Sequence, residues 1–307
     1  MKFPVLEMFT SIQGEGIYTG CPSLFVRLGG CNLRCVFGNT RCDTPYSSFE
    51  HEEPMWKDTD EAAANATKIL GDNPGITHLV ITGGEPMLYK DAIKEFVNKI
   101  NFDNPDNPDK VLNLTIETNG TIHCDDMCWQ SDIKYDEDGN MEEWVDSWID
   151  LFSISPKLST SVDKDLKYLT KEQMERHDRT RINIKNLASY ILQTKNTFNY
   201  MKDMVSEYDA DYIDVLNVNQ YMPTYQFKFV YSGEESVKEI KELLPQIAKE
   251  ADITMDELNS HVMLMPEGTH VEHLEQISKE CAEVCVREGW RFCDRLHIRI
   301  WGDKRGV

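Results

Sequence analysis

The chain has 307 residues and a formal net charge of −21, from 32 Lys and Arg against 53 Asp and Glu. An apolar fraction of 40% with 10% aromatics builds a sizeable core, which excludes global disorder. The acidity excludes direct nucleic-acid binding through the surface as a whole, because phosphate needs a basic face.

The N-terminal MKFPVLEMFTSIQGEG lacks a long apolar run, and no stretch of ~18 apolar residues follows it. The expectation is a cytoplasmic protein with no membrane contact, where thiols stay reduced. The first strand is expected over 23–28. It runs into Gly29 and Gly30 and then a loop with Cys31, Cys35 and Cys42. Residues 50–61 hold six acids and one lysine. A helix over 59–70 follows, with Asp58 or Thr59 as its N-cap and Gly71 as its stop. A strand over 77–82 leads into Gly83-Gly84-Glu85-Pro86, then a helix over 91–100 and a solvated turn, NFDNPDNPDK, over 101–110.

The third strand is expected over 111–117. Residues 121–150 carry ten acids and one lysine together with Trp129, Trp144 and Trp148, which predicts a folded insertion rather than a tail. A strand over 149–155 comes next. Residues 159–224 are expected as an added layer that includes a helix over 187–207. The chain closes with strands over 226–231 and 261–265, helices over 235–249 and 271–288, and a terminus, 286–307, with six bases against three acids. Six strands alternating with helices predict an α/β protein with a parallel, barrel-like sheet and functional groups at strand C-termini. No internal repeat is visible.

Nine cysteines, an odd number, make a poor disulfide framework. Three thiols within twelve residues, flanked by Gly and polar residues, point to zinc or an iron–sulfur cluster. Three thiolates on a four-iron cluster leave one iron open to a ligand. Zinc with a fourth ligand from elsewhere in the chain fits the spacing as well. The GGEP turn alone is an ordinary turn. At a strand's C-terminal end, its glycines also let a ligand approach the backbone.

Together, the cysteine loop and the GGEP turn resemble the radical S-adenosylmethionine superfamily. The segments MFTSIQGEGIYTGCPSLFVRLGGCN, CDTPY, ITGGEP, IETNG, SISPKL, FKFV, LMPEG and RLHIRIWGDKRGV resemble the 7-carboxy-7-deazaguanine synthase family within it, over about a third of the chain. The resemblance implies a partial, modified TIM-like barrel of about six parallel strands, one domain over 1–307, with insertions at 121–148 and 159–224. It also implies a [4Fe-4S] cluster, S-adenosylmethionine and Mg²⁺ as cofactors. Reductive cleavage of S-adenosylmethionine then yields a 5′-deoxyadenosyl radical that abstracts a substrate hydrogen. The implied reaction converts 6-carboxy-5,6,7,8-tetrahydropterin to 7-carboxy-7-deazaguanine with loss of ammonia, in queuosine-type 7-deazapurine biosynthesis. An external electron donor such as a flavodoxin and a homodimer are implied as well.

By the same resemblance, Cys31, Cys35 and Cys42 are the cluster ligands and Thr44 a ligand of Mg²⁺. Gly84, Glu85, Ser155, Pro156, Lys157, Met265, Pro266, Glu267 and Gly268 are expected around S-adenosylmethionine, with Phe37, Arg41 and Asp43 from the cysteine loop. Ile12, Gln13, Gly14, Glu15, Arg27, Thr82, Glu117 and Val307 are expected at the substrate, with Arg27 clamping its carboxylate. No residue beyond the cofactor-derived radical is assigned a catalytic role. Each has an ordinary alternative: Arg27 as a surface ion pair, Lys157 as a strand-end lysine, Thr44 as a cap before Pro45.

The spacing departs from the family's usual C-x3-C-x2-C. Here it is C-x3-C-x6-C, and the turn residues Gly38 and Asn39 let the extra residues loop out. Cys21 is expected to be packed. Cys124 with Cys128, or Cys281 with Cys285 and Cys293, is a candidate second metal set, set against burial as plain core thiols. Two rival readings are an activase acting on a partner protein and a non-enzymatic zinc-binding module.

Overall fold

The computed structural model describes residues 1–50, 52–100, 112–125, 127, 130–135, 141–147, 149–207 and 224–307. The apolar runs of the sequence become strands because both faces of each are covered. In β6 (His78–Gly83) every residue through Thr82 is buried. Six strands lie parallel side by side, namely β2 (Pro22–Leu28), β6, β7 (Asn113–Thr118), β10 (Leu151–Ile154), β11 (Thr224–Tyr231) and β12 (Val262–Pro266). These are the six the pattern predicts, shifted by one or two residues at their ends. Among the described residues the sheet has nine strands. β13 (Arg291–Phe292) adds in parallel at one edge, and β1 (Lys2–Ile12) and β5 (Trp56–Asp58) add antiparallel at the other. The two end strands do not pair, so the barrel is open.

The β1 strand is absent from the expected elements because Pro4 interrupts it. Proline is tolerated there because it sits where the pairing with β5 is irregular, between Lys2 and Val5. Helix α2 (Thr59–Asp72) starts as expected, with Asp58 accepting from the Glu61 amide at 3.0 Å. It does not stop at Gly71. Asn73 ends it, its amide donating to Leu70 and its side chain to the Ile69 carbonyl, before Pro74. Helices α3 (Lys90–Lys99), α5 (Ile184–Glu207), α6 (Glu234–Ala251) and α8 (Val271–Glu288) match their expected spans closely. Short α1 (Pro45–Ser48), α4 (Lys171–Thr180), α7 (Met255–Ser260) and α9 (Leu296–Trp301) are additional.

The acidic stretch after β7 contains an antiparallel pair, β8 (Gln130–Tyr135) and β9 (Met141–Ser147). Trp129, Trp148, Cys128 and the 101–110 turn lie outside the described residues. One continuous core joins the sheet to α2, α3, α5, α6 and α8. Cys124, Cys281 and Cys285 are buried in that core, whereas Cys21 is only half-buried. No described group of three or more His, Cys, Asp or Glu could hold a single metal ion. Among the described residues no helix is long and apolar enough to cross a membrane.

Candidate active site

Parallel strands present their C-terminal ends on one rim, and the register there lines up a row of polar side chains. Glu7 pairs with Arg27, Arg27 with Thr82, Glu117 with Ser153, and Ser153 with Gln226. Thr82 donates to Glu117 at 2.7 Å and Gln226 to Ser153 at 2.8 Å, so the row is continuous across six strands. A cavity of about 360 Å³ lies against it, with Arg27, Thr82, Glu117 and Ser153 in its wall. Buried polar groups are stable only when bonded, and the row supplies the partners. The Nε of Arg27 donates to Glu7 at 2.6 Å, and its guanidinium lies over Phe9 and Tyr46, 5.9 and 6.0 Å from the ring centres. Both Nη atoms lack a hydrogen-bond partner among the described residues, which leaves one edge of the fork for a ligand oxygen.

The cysteine loop follows β2. Its glycines nest backbone on backbone with the GGEP turn: Gly84 donates to the Leu28 carbonyl at 3.0 Å, and Glu85 to the Gly30 carbonyl at 2.8 Å. A Cβ on Gly84 would stand 2.0 Å from the Gly30 oxygen, so only glycine fits. The residues between Cys35 and Cys42 form a miniature hairpin of β3 (Val36–Phe37) and β4 (Thr40–Arg41), turning at Gly38 with φ 55°. The Cys42 amide closes it on the Cys35 carbonyl at 3.0 Å. The hairpin takes up the extra residues, and Cys35 and Cys42 meet backbone to backbone at its base.

Cys31, Cys35 and Cys42 all line the cavity and form no disulfide. Burial pushes the Cys31 thiol up to about 12 and raises those of Cys35 and Cys42. Binding a metal would release those protons, since the thiolate is the ligand form. Three free thiols converging on a cavity fit a cluster with one open iron, whereas a closed zinc site needs a fourth ligand. Thr44 precedes α1 but makes no side-chain cap; its hydroxyl is 3.5 Å from the Cys42 sulfur, in the cavity wall.

A second network closes the cavity from the other side. Lys228 donates to Glu15, as does the Nε of Arg295 at 3.1 Å. Arg295 also donates to Asp43 at 2.7 Å and to the Gly268 carbonyl at 2.6 Å. Burial works to raise both carboxyls, but Lys228 and Arg295 hold Glu15, and Arg295 holds Asp43, below the usual carboxylate range. The chain's last residues return beside β1, where Arg305 donates to Glu7 at 2.7 Å and stacks 3.7 Å from the Tyr46 ring centre.

Most residues singled out in the sequence meet here. Ile12, Gln13, Gly14, Glu15, Arg27, Phe37, Asp43, Thr44, Thr82, Gly84, Glu117, Ser155, Lys157, Met265 and Val307 line the cavity with the three cysteines. Arg41, Pro266, Glu267 and Gly268 line a small adjoining cleft that shares Phe37, Asp43 and Met265 with it. Glu85 and Pro156 stand in neither wall. The Glu85 carboxylate is fully buried and accepts from Met87, Thr118 and Asn119, bracing the turn. Asn119, Ser153, Arg295 and His297 are wall residues that sequence reasoning missed. The inward polar positions within otherwise apolar strands signal Ser153. Arg295 and His297 fall in the terminal RLHIRIWGDKRGV segment, but the roles of Arg295 depend on partners 252 and 280 residues away.

An open parallel barrel with three thiols on the loop after its first parallel strand defines a class, and the Radical SAM superfamily model matches residues 25–205. Three curated relatives are named 7-carboxy-7-deazaguanine synthase. The relative from Halobacterium salinarum is 31% identical over 98% of this chain and 91% of its own length. Those from Rhodopirellula baltica and Pyrobaculum aerophilum are 30% and 26% identical, over 99% and 98% of this chain and 88% and 96% of theirs. The chain belongs to the radical SAM superfamily and, within it, to the 7-carboxy-7-deazaguanine synthase family. Membership implies a [4Fe-4S] cluster and S-adenosylmethionine as cofactors and a lyase activity on a small molecule.

Proposed function

We propose that this chain converts 6-carboxy-5,6,7,8-tetrahydropterin to 7-carboxy-7-deazaguanine with release of ammonia. The observation that carries this reading is the Arg27 fork, its free edge turned into the same cavity as the three thiols. Cys31, Cys35 and Cys42 hold the cluster. When bound, cluster and S-adenosylmethionine together supply the radical that abstracts the substrate hydrogen. Arg27 takes the substrate carboxylate, and Gln13, Thr82 and Glu117, bonded to one another, take the polar edge of the ring system. Ile12, Gly14, Glu15 and Val307 complete the substrate wall. Gly84, Ser155, Lys157 and Met265, with Phe37 and Asp43, surround S-adenosylmethionine, and Arg41, Pro266, Glu267 and Gly268 its adenosyl end. Glu85 and Pro156 act by shaping those turns.

Thr44 would hold Mg²⁺ through a hydroxyl that makes no helix-cap bond, with water and substrate oxygens as the other ligands. Thr44→Ala is expected to leave iron content unchanged and to raise the Mg²⁺ concentration giving half-maximal rate about tenfold, read from a Mg²⁺ titration. The chain works as one domain over 1–307 with insertions at 121–148 and 159–224, as a homodimer in the cytoplasm, reduced by a carrier such as flavodoxin.

The test is anaerobic incubation of reconstituted protein with reductant, S-adenosylmethionine and the carboxytetrahydropterin. 7-Carboxy-7-deazaguanine is the expected product. Its absence from protein with an intact cluster would refute the assignment.

A further inference from the structure

The segment that follows Lys157 grips the cysteine loop at two points, one in each span between ligands. Between Cys31 and Cys35, the Arg34 amide donates to His177 Nδ1 at 3.2 Å. A nitrogen that accepts carries no proton, so the ring proton sits on Nε2, 3.1 Å from Ser161 Oγ. The Ser161 hydroxyl then donates to the Leu158 carbonyl at 2.7 Å. The chain of bonds runs from the thiol loop to the residue beside Lys157. His177 is 2% exposed and rides on α4, whose start is fixed by a capping box of Thr170 and Gln173.

Between Cys35 and Cys42, the hairpin tip is held as well. The Asn39 carbonyl accepts from the Tyr168 hydroxyl, and its side-chain oxygen from Lys167. Both come from a turn built on one buried carboxylate. Asp163 accepts the amides of Lys167, Tyr168 and Leu169 at 3.0, 2.7 and 2.8 Å, and Leu166 is held at φ 52°.

We propose that His177 is a positioning residue for the iron–sulfur cluster, and that the 163–169 turn does the same for the long Cys35–Cys42 span. The inference rests on the cluster reading of Cys31, Cys35 and Cys42. A ligand loop must hold its thiols at fixed spacing, and bonds to the backbone between ligands restrict that spacing without touching the metal. Six intervening residues need an anchor of their own, and Asn39 provides it.

The test compares parent protein with His177→Leu, which removes the acceptor, and His177→Asn, which puts an oxygen near the place of Nδ1. After anaerobic reconstitution, iron and sulfide per chain, iron loss to a chelator and the electron paramagnetic resonance spectrum of the reduced cluster are measured, with circular dichroism as the fold check. His177→Leu should lose iron about tenfold faster with a shifted spectrum, His177→Asn should restore both, and Tyr168→Phe should change retention in the same direction. A folded His177→Leu with parental retention and spectrum would overturn the proposal, as would a folded His177→Asn that fails like leucine. Should His177→Leu not fold, Ser161→Ala decides by the same measurements: faster iron loss supports the proposal, parental behaviour overturns it. A parent chain that takes up no four-iron cluster would overturn the functional reading itself, and this inference with it.

Discussion

Arg27 owes its function to its neighbours. Glu7 occupies Nε and Phe9 and Tyr46 flank the guanidinium, so the free edge is fixed before any ligand arrives. Arg27→Lys keeps the charge and loses the fork. KM for the carboxylated substrate should rise about tenfold or more with iron content unchanged, as steady-state kinetics would show. Glu15 is the opposite case, a carboxylate that neutralises Lys228 and Arg295 in a buried place. Glu15→Gln takes the carboxylate from buried Lys228 while Arg295 keeps Asp43, and denaturant unfolding of the metal-free chain should show a loss of about 3 kcal/mol. Because the folded carboxyl is depressed, its contribution is complete at neutral pH and disappears only as acid reaches that lowered value. The sequence marks Arg27 and Glu15 by motif. It marks Lys228 and Arg295 in the same way, within FKFV and RLHIRIWGDKRGV, but not their pairing with Glu15, which brings β11 and the residue before α9 together.

At the scale of elements, the glycine-rich turns are packing devices. The GGEP turn lies directly on the Gly29–Gly30 backbone, an approach that no strand pattern announces. Gly84→Ala should therefore cost more than the loss of a ligand contact. Its Cβ meets backbone oxygens of Gly30 and Ser47, at 2.0 and 2.7 Å, which cannot move aside as a side chain would. Loss of soluble folded protein, or of cluster uptake, is expected on expression and iron analysis; normal uptake would mean the turn is looser than its bonds imply. The C-x6-C spacing was legible as a loop with turn residues. That it is a paired hairpin follows from the Cys42–Cys35 backbone bond and the docking of Asn39.

Across the whole molecule, charge is divided by location. The stretches 50–61 and 121–150 supply 14 of the 21 excess negative charges, while the cavity wall carries Arg27, Lys157, Lys228, Arg295, Lys304 and Arg305 against Glu15, Asp43, Glu117 and Asp303. Glu15 and Asp43 are the partners of Lys228 and Arg295, and Glu7 is the partner of Arg27 and Arg305, so among the described residues Lys157 and Lys304 are the wall cations outside these pairs. Global stability should also carry the mark of His177. Burial first, then the Arg181 charge, depresses its imidazole from 6.5 to about 4. Between these values the unfolded chain takes a proton that the folded chain refuses, so stability falls as pH drops from about 6.5 to about 4, by at most ~3 kcal/mol. Urea unfolding of the metal-free chain at about pH 7 and about pH 5 checks this, and His177→Asn should flatten the difference. The six parallel strands, their helices and the cysteine loop were legible in the residues because periodicity and spacing are local properties. The polar row across the strands, the ion pairs that close the cavity and the two grips on the cysteine loop were not. They depend on register and on contacts between residues 20 to 280 positions apart, which form only when the sheet assembles.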